Sequence, residues 1–133
     1  MPSTFDVQVV AADRQIFLGP AVSVVVPALD GYLGILRGHA PLYAALTVGV
    51  ITIQLPDTST PLLIAVSGGF VEVSPEKTLV LADAAELAED IDLERAEQSK
   101  QRAEERLRSG GPDTDLDRAK AALLRALNRL RAV

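Results

Sequence analysis

Charge density along this chain changes abruptly near residue 86, and that change limits what it can fold into. Residues 1–85 carry 3 basic and 7 acidic side chains, whereas residues 86–133 carry 10 and 11. A charge-poor stretch of eighty-odd residues can bury most of its length. A charge-dense stretch with nearly balanced signs cannot, and reads as solvated helix. Two units are therefore expected: a β-rich body over 1–85 and a helical tail over 86–133.

The front unit has the period of strands. In "FDVQVV" (5–10), Phe5, Val7 and Val9 alternate with Asp6 and Gln8. "AVSVVVP" (21–27), "VGVITIQL" (48–55), "PLLIAV" (61–66), "GFVEV" (69–73) and "TLVLA" (78–82) follow at short intervals. Asp30-Gly31, Pro56-Asp57, Ser67-Gly68-Gly69 and Ser74-Pro75-Glu76-Lys77 supply turn chemistry between them. Short strands at this spacing, without helical pattern between them, predict an antiparallel sandwich or barrel. Trp is absent and aromatics make up 4% of the chain, so the core must be built from Val, Ile, Leu and Ala.

The tail reads as two helices separated by Ser109-Gly110-Gly111-Pro112, which predicts an antiparallel α-hairpin. Thr114 with Asp117 three residues later forms a weakened capping box for the second helix. Leu116, Ala119, Leu123, Leu127 and Leu130 give that helix one apolar stripe. The first has a thinner stripe of Leu93, Ala96, Ala103 and Leu107, interrupted by Lys100. Narrow, Ala-rich stripes on short helices predict a weakly held hairpin.

Several function classes are disfavoured. A net charge of −5 argues against nucleic-acid binding, which requires a clustered positive surface. With no cysteine there is no disulfide, thiolate metal site or cysteine nucleophile. Met1-Pro2-Ser3-Thr4 has neither a basic region nor an apolar run, so no signal peptide is expected. Nothing approaches the roughly eighteen uninterrupted apolar residues of a spanning helix. His39, the single histidine, lies between Gly38 and Pro41 and reads as a loop or interface residue, since partners for a triad or metal site are missing nearby. "SGGF" (67–70) lacks the phosphate-loop pattern and reads as a tight turn. No enzyme signature emerges, and a hydrolase has no catalytic constellation behind it.

The tail arginines are more informative. Arg118, Arg125 and Arg129 fall within about a 40° arc of a helix, and Arg95, Arg102 and Arg106 repeat that spacing on the first helix. Planar guanidinium donors suit phosphate oxygens. By spacing alone, however, surface pairing with Asp92, Glu94, Glu97, Glu104 and Glu105 accounts for both stripes.

Taken together, "DGYLGILRGHAPLYAAL" (30–46), "SGGFVEV" (67–73) and "AEDIDLERA" (88–96) resemble the epsilon subunit of bacterial F-type ATP synthases, over nearly the whole chain and in order. The resemblance implies an N-terminal β-sandwich followed by a two-helix hairpin, in a non-catalytic rotor subunit. It implies packing on the gamma subunit near the c-ring, at the cytoplasmic face of the cell membrane, in service of ATP synthesis coupled to ion flow. It further implies that the hairpin restrains ATP hydrolysis when extended toward the alpha and beta catalytic subunits. The family's nucleotide motif is matched by Ile91, Asp92, Arg95 and Ala96; its preceding acid corresponds to Glu86 and its second-helix arginines to Arg125 and Arg129. ATP, with or without Mg²⁺, is thereby implied as a regulatory ligand that holds the hairpin closed, and no cofactor is required. The hypothesis drawn from this is that Arg95, Arg125 and Arg129 converge on ATP only in the closed hairpin, with Asp92 orienting Arg95 or accepting from the ligand. The ring-facing loop would comprise Tyr32, Arg37, Gly38 and His39; Arg37 stands where the family often has Pro, and Tyr32 where a polar residue is common. The competing reading is an independent ATP-binding sensor module outside the synthase.

Overall fold

The computed structural model describes residues 3–12, 14–109 and 115–132. Eight strands precede two helices: β1 (Phe5–Ala11), β2 (Arg14–Ala21), β3 (Ser23–Ala28), β4 (Gly31–Ile35), β5 (Leu42–Gln54), β6 (Leu62–Val73), β7 (Lys77–Ala82), β8 (Ala85–Leu87), α1 (Leu93–Arg108) and α2 (Leu116–Ala132). The strands run in the order β2-β1-β7-β6-β5-β3-β4, with β8 also paired to β6. All neighbours are antiparallel except β1 and β7. The folded-over sheet closes a β-sandwich on one aliphatic core, in which Val7, Val9, Val24, Val26, Ile51, Ile53, Ile64, Val71 and Val80 are fully enclosed. The alternation read from residues 5–10 is that of β1, whose Phe5, Val7, Val9 and Ala11 all face inward.

Two expectations are corrected here. Segments 61–66 and 69–73 are one strand, and Ser67-Gly68-Gly69 is a bend within it rather than a tight turn between strands. Across the bend the inward positions change parity, from Ile64 and Val66 to Val71 and Val73. β5 makes the same change, from Leu46 to Ile51 and Ile53. The register of β6 with β5 nevertheless continues unbroken on both sides. In β6 the change falls where the backbone leaves the ordinary β region, at Gly68 (φ +91°) and Gly69 (φ +123°). A side chain on Gly69 would collide with the Leu81 carbonyl oxygen and come within 2.7 Å of the Ala82 Cα.

β2, β4 and β8 were not expected as strands. β2 contains Gly19 and Pro20, which break a strand pattern but are tolerated on the sheet edge it occupies. β8 continues the β7 register along β6, so sheet pairing reaches Leu87. This places Glu86 in the sheet, opposite Ala65.

A 3-10 turn at Ala88–Asp90 leads from the sheet to α1. Asp92 is the N-cap of α1, its Oδ1 accepting the Arg95 backbone N–H at 3.1 Å. Asp115 caps α2 by accepting the Arg118 N–H at 3.0 Å. The predicted capping role of Thr114 and the break at Gly110-Gly111-Pro112 lie outside the described residues. The helices pack on each other, and α2 also packs on β5 and β6. Among the described helical positions the buried ones are Ala96, Ala103, Ala119, Ala126, Asn128 and Ala132, whereas Leu93, expected in the apolar stripe of α1, is half-exposed. Small side chains thus form the seam where the helices approach.

Gly69→Ala is expected to destabilise the fold by about 3 kcal/mol or more, because strain and a backbone clash combine at one position. Urea unfolding checks this. A loss below about 1 kcal/mol would show that the bend does not require glycine.

Candidate functional site

The hairpin meets the sandwich through two side chains of α2. Asn128, 4% exposed, donates from Nδ2 to the Gly49 carbonyl at 2.8 Å and the Val66 carbonyl at 3.4 Å. Gly49 and Val66 are cross-strand partners, so one amide clamps both central strands. Its own Oδ1 is buried without a hydrogen-bond partner. The next residue, Arg129, forms a two-point ion pair with Glu86 of β8, through Nε to Oε1 and through Nη2 to Oε2 at 3.3 Å. Both charged partners are partly exposed.

This ion pair borders two adjoining clefts. The larger, about 450 Å³, runs between the helices and is lined by Glu86, Ser99, Arg102, Arg106, Arg125 and Arg129, with Ala103, Ala122 and Ala126 at its floor. The smaller, about 320 Å³, lies between α2 and the sandwich. Four arginines face one carboxylate in the interhelix cleft. With Arg129 paired to Glu86, the arrangement retains excess positive charge and planar donors, which favours a polyanion carrying several oxygens. Ser99 and Arg102 are joined by a hydrogen bond of 3.3 Å, placing a hydroxyl at the same wall. Among the described residues no group of three or more His, Asp or Glu side chains is placed to hold a metal ion.

The positions expected from the sequence divide into two groups. Glu86, Arg125 and Arg129 come together at the clefts. Arg95 is exposed and lines neither cleft. Asp92 spends Oδ1 on the Arg95 backbone, so the one-turn spacing of this acid and arginine serves helix capping and not a side-chain pair. Ile91 and Ala96 are buried with Ala65 and Ala132, packing the start of α1 against the end of α2. Arg102 and Arg106 occupy the cleft as members of the α1 basic stripe. Asn128 was missed altogether; a lone Asn near the apolar Leu127 and Leu130 was the available signal.

In the expected ring-facing loop, Tyr32 lies in β4, paired with Pro27. Its hydroxyl accepts the Val50 N–H at 3.4 Å, where the β3–β5 register is interrupted. Arg37, Gly38 and His39 form the turn after β4. The Gly38 N–H is donated to the Pro75 carbonyl at 2.7 Å and the His39 N–H to the Leu36 carbonyl at 3.1 Å, while His39 Nδ1 lies 2.8 Å from the Ala40 carbonyl. Two backbone hydrogen bonds therefore shape this turn.

A second surface went unnoticed in the sequence. Ala45, Phe70 and Leu81 stand in one cross-strand row on β5, β6 and β7, and Tyr43 stacks on Phe70 with ring centroids 5.4 Å apart. Tyr43 is 63%, Phe70 45% and Leu81 48% exposed, an apolar patch on the outer face of a sheet whose inner face is already filled.

Comparison with known proteins fits this architecture. Residues 4–88 match the family described as ATP synthase, Delta/Epsilon chain, beta-sandwich domain, and residues 89–133 match the companion long alpha-helix domain. The chain is 51% identical over 127 residues to the ATP synthase epsilon chain of Bacillus subtilis, covering 96% of this chain and 95% of that one. It is 46% identical over 132 residues to the epsilon chain of Desulforamulus reducens, covering 99% and 98%. A chain in the cryo-EM structure of the Euglena gracilis mitochondrial ATP synthase superposes with a TM-score of 0.84 at 19% identity, covering 99% of this chain and 82% of that one. That last likeness bears on the fold.

Asn128→Asp removes the amide donor and sets a carboxylate against two carbonyl oxygens. It is expected to release α2 from the sandwich at a cost of about 2–3 kcal/mol while leaving the sandwich folded. Amide NMR should show α2 and the Gly49–Val66 region changing and β1 and β7 unchanged; an undisturbed α2 would contradict the docking role.

Proposed function

Because the chain belongs to the ATP synthase delta/epsilon family, we propose that it works as a non-catalytic rotor subunit whose hairpin is held closed by ATP and restrains ATP hydrolysis when open. The observation that carries the regulatory half is the interhelix cleft, where Arg102, Arg106, Arg125 and Arg129 face the single carboxylate of Glu86. Two of these arginines come from α1 and two from α2, while Glu86 comes from the sheet, so the cleft exists only while the hairpin is folded on the sandwich.

The physical sequence is short. The closed hairpin gathers like charges, which repel when no anion is present. The phosphates of ATP neutralise that repulsion and accept hydrogen bonds from the guanidinium groups. Mg²⁺, where it accompanies ATP, is carried by the phosphates. Ligand binding confined to the closed state stabilises it by about 2.7 kcal/mol at a hundred times the dissociation constant. When ATP falls, the hairpin opens and its basic stripes become available to the alpha and beta catalytic subunits. The coupling is reciprocal, because whatever holds the tail open weakens ATP binding by the same factor.

The sandwich supplies the fixed half of the rotor. Tyr43, Phe70 and Leu81 present an apolar face of the kind that a permanent partner covers, and gamma is the partner in this reading. The turn at Arg37, Gly38 and His39 faces the c-ring, which keeps the subunit peripheral to the cytoplasmic face of the membrane. No described helix is long and apolar enough to cross a bilayer.

The two halves should separate experimentally. Arg125→Ala should weaken ATP binding about tenfold in calorimetry, in line with a lost charge-assisted contact, and leave gamma binding intact. Phe70→Ser should weaken gamma binding and leave ATP affinity intact. Lack of ATP binding by the unaltered chain, or indifference to Arg125→Ala, would defeat the sensor reading.

A further inference from the structure

The smaller cleft adds a residue that the nucleotide motif does not contain. It is lined by Arg14, Ser67, Glu86, Arg125, Asn128 and Arg129, together with small apolar side chains of β5, β6 and β8. Arg14 opens β2, two residues after Ala12, which takes a positive φ of 52°. Pairing of Arg14 with Ala11 fixes where that arginine leaves the sandwich. Glu86, Arg125 and Arg129 line both clefts, so the two spaces adjoin across the Glu86–Arg129 ion pair. Glu86 is the single acid lining either one, and it is already engaged by Arg129. Among the described residues neither Arg14 nor Arg125 has an ion-pair partner. Asn128, with its buried and unpartnered Oδ1, completes the wall.

We propose that the two clefts form one bipartite site and that Arg14 binds the phosphate end of a nucleoside triphosphate from the sandwich side. This rests on the nucleotide reading above and extends it. Arg14 and Arg125 approach the smaller cleft from different units, and Ser67 offers a hydroxyl beside them, a donor set suited to phosphoryl oxygens and poorly suited to a neutral ring.

The placement has a consequence for regulation. A ligand held by α1 and α2 alone would stabilise the hairpin against splaying, yet would allow it to detach from the sandwich as a unit. A ligand that also contacts Arg14 binds the docked arrangement better than the detached one. Only such a difference in affinity can shift the balance between them. A monophosphate bound by the interhelix arginines has no second phosphoryl group to offer Arg14, so this residue contributes to discrimination by phosphate number.

The test titrates ATP and AMP into the full chain and into its Arg14→Gln and Arg14→Lys variants by calorimetry at fixed ionic strength. Arg14 is exposed on an edge strand, so the substitutions leave the core intact. Arg14→Gln is expected to weaken ATP about fivefold, as for one partly screened charge-assisted contact, and to leave AMP within about twofold. Arg14→Lys should recover part of the loss. Unchanged ATP affinity in Arg14→Gln, or an equal loss for ATP and AMP, overturns the proposal while leaving the nucleotide reading standing. If the unaltered chain binds no ATP, that reading fails and takes this one with it.

Discussion

The Glu86–Arg129 ion pair is the contact around which the rest is arranged. It ties the last strand of the sandwich to the last helix, and both clefts share it. Its energy is modest, because a partly exposed pair of this kind contributes about 0–1 kcal/mol. Its geometric effect is larger. By engaging the one acid at the cleft it leaves Arg102, Arg106 and Arg125 without a free carboxylate on the lining, the feature on which the proposed anion site rests.

The closed hairpin has little else to hold it. Its buried seam consists largely of alanine methyl groups, each worth on the order of 1 kcal/mol, supplemented by the Asn128 amide on two sheet carbonyls. Against this stand the repulsion among arginines and the entropy of ordering two short helices. A balance of small terms can be reversed by one ligand, whereas a helix pair zipped by leucines could not. The sandwich is built the opposite way: a continuous Val and Ile core and long, bent β5 and β6 ladders make it a fixed platform. Rigid body and marginal tail are complementary properties in one chain.

The body was legible where a strand buries one face and shows the other, as in β1, β3 and β7. It was hidden where the backbone departs from that pattern. Gly68 and Gly69 signal a turn in sequence, yet here they let one strand change phase, because only the sheet partners reveal that pairing continues across them. β2 was obscured by Gly19 and Pro20, which its edge position tolerates. In the site, helical spacing placed Arg125 and Arg129 together, and family resemblance supplied Glu86. Spacing could not tell which part of the α1 stripe lines the cleft: Arg102 and Arg106 do so, while Arg95 does not. Asn128 and Arg14 were illegible for a common reason. Each is placed by a residue distant in sequence: Asn128 bonds to Gly49, and Arg14 shares a cleft lining with Arg125.

If an anion in the cleft decides whether the hairpin stays on the sandwich, ATP must change the separation between the two units. A fluorescence pair on an exposed β2 position and an exposed α2 position, followed while ATP is added to the full chain, tests it most directly. The expected result is a distance distribution that collapses to the short, docked separation as ATP saturates, with AMP less effective at equal occupancy. A distribution unchanged by saturating ATP would contradict it.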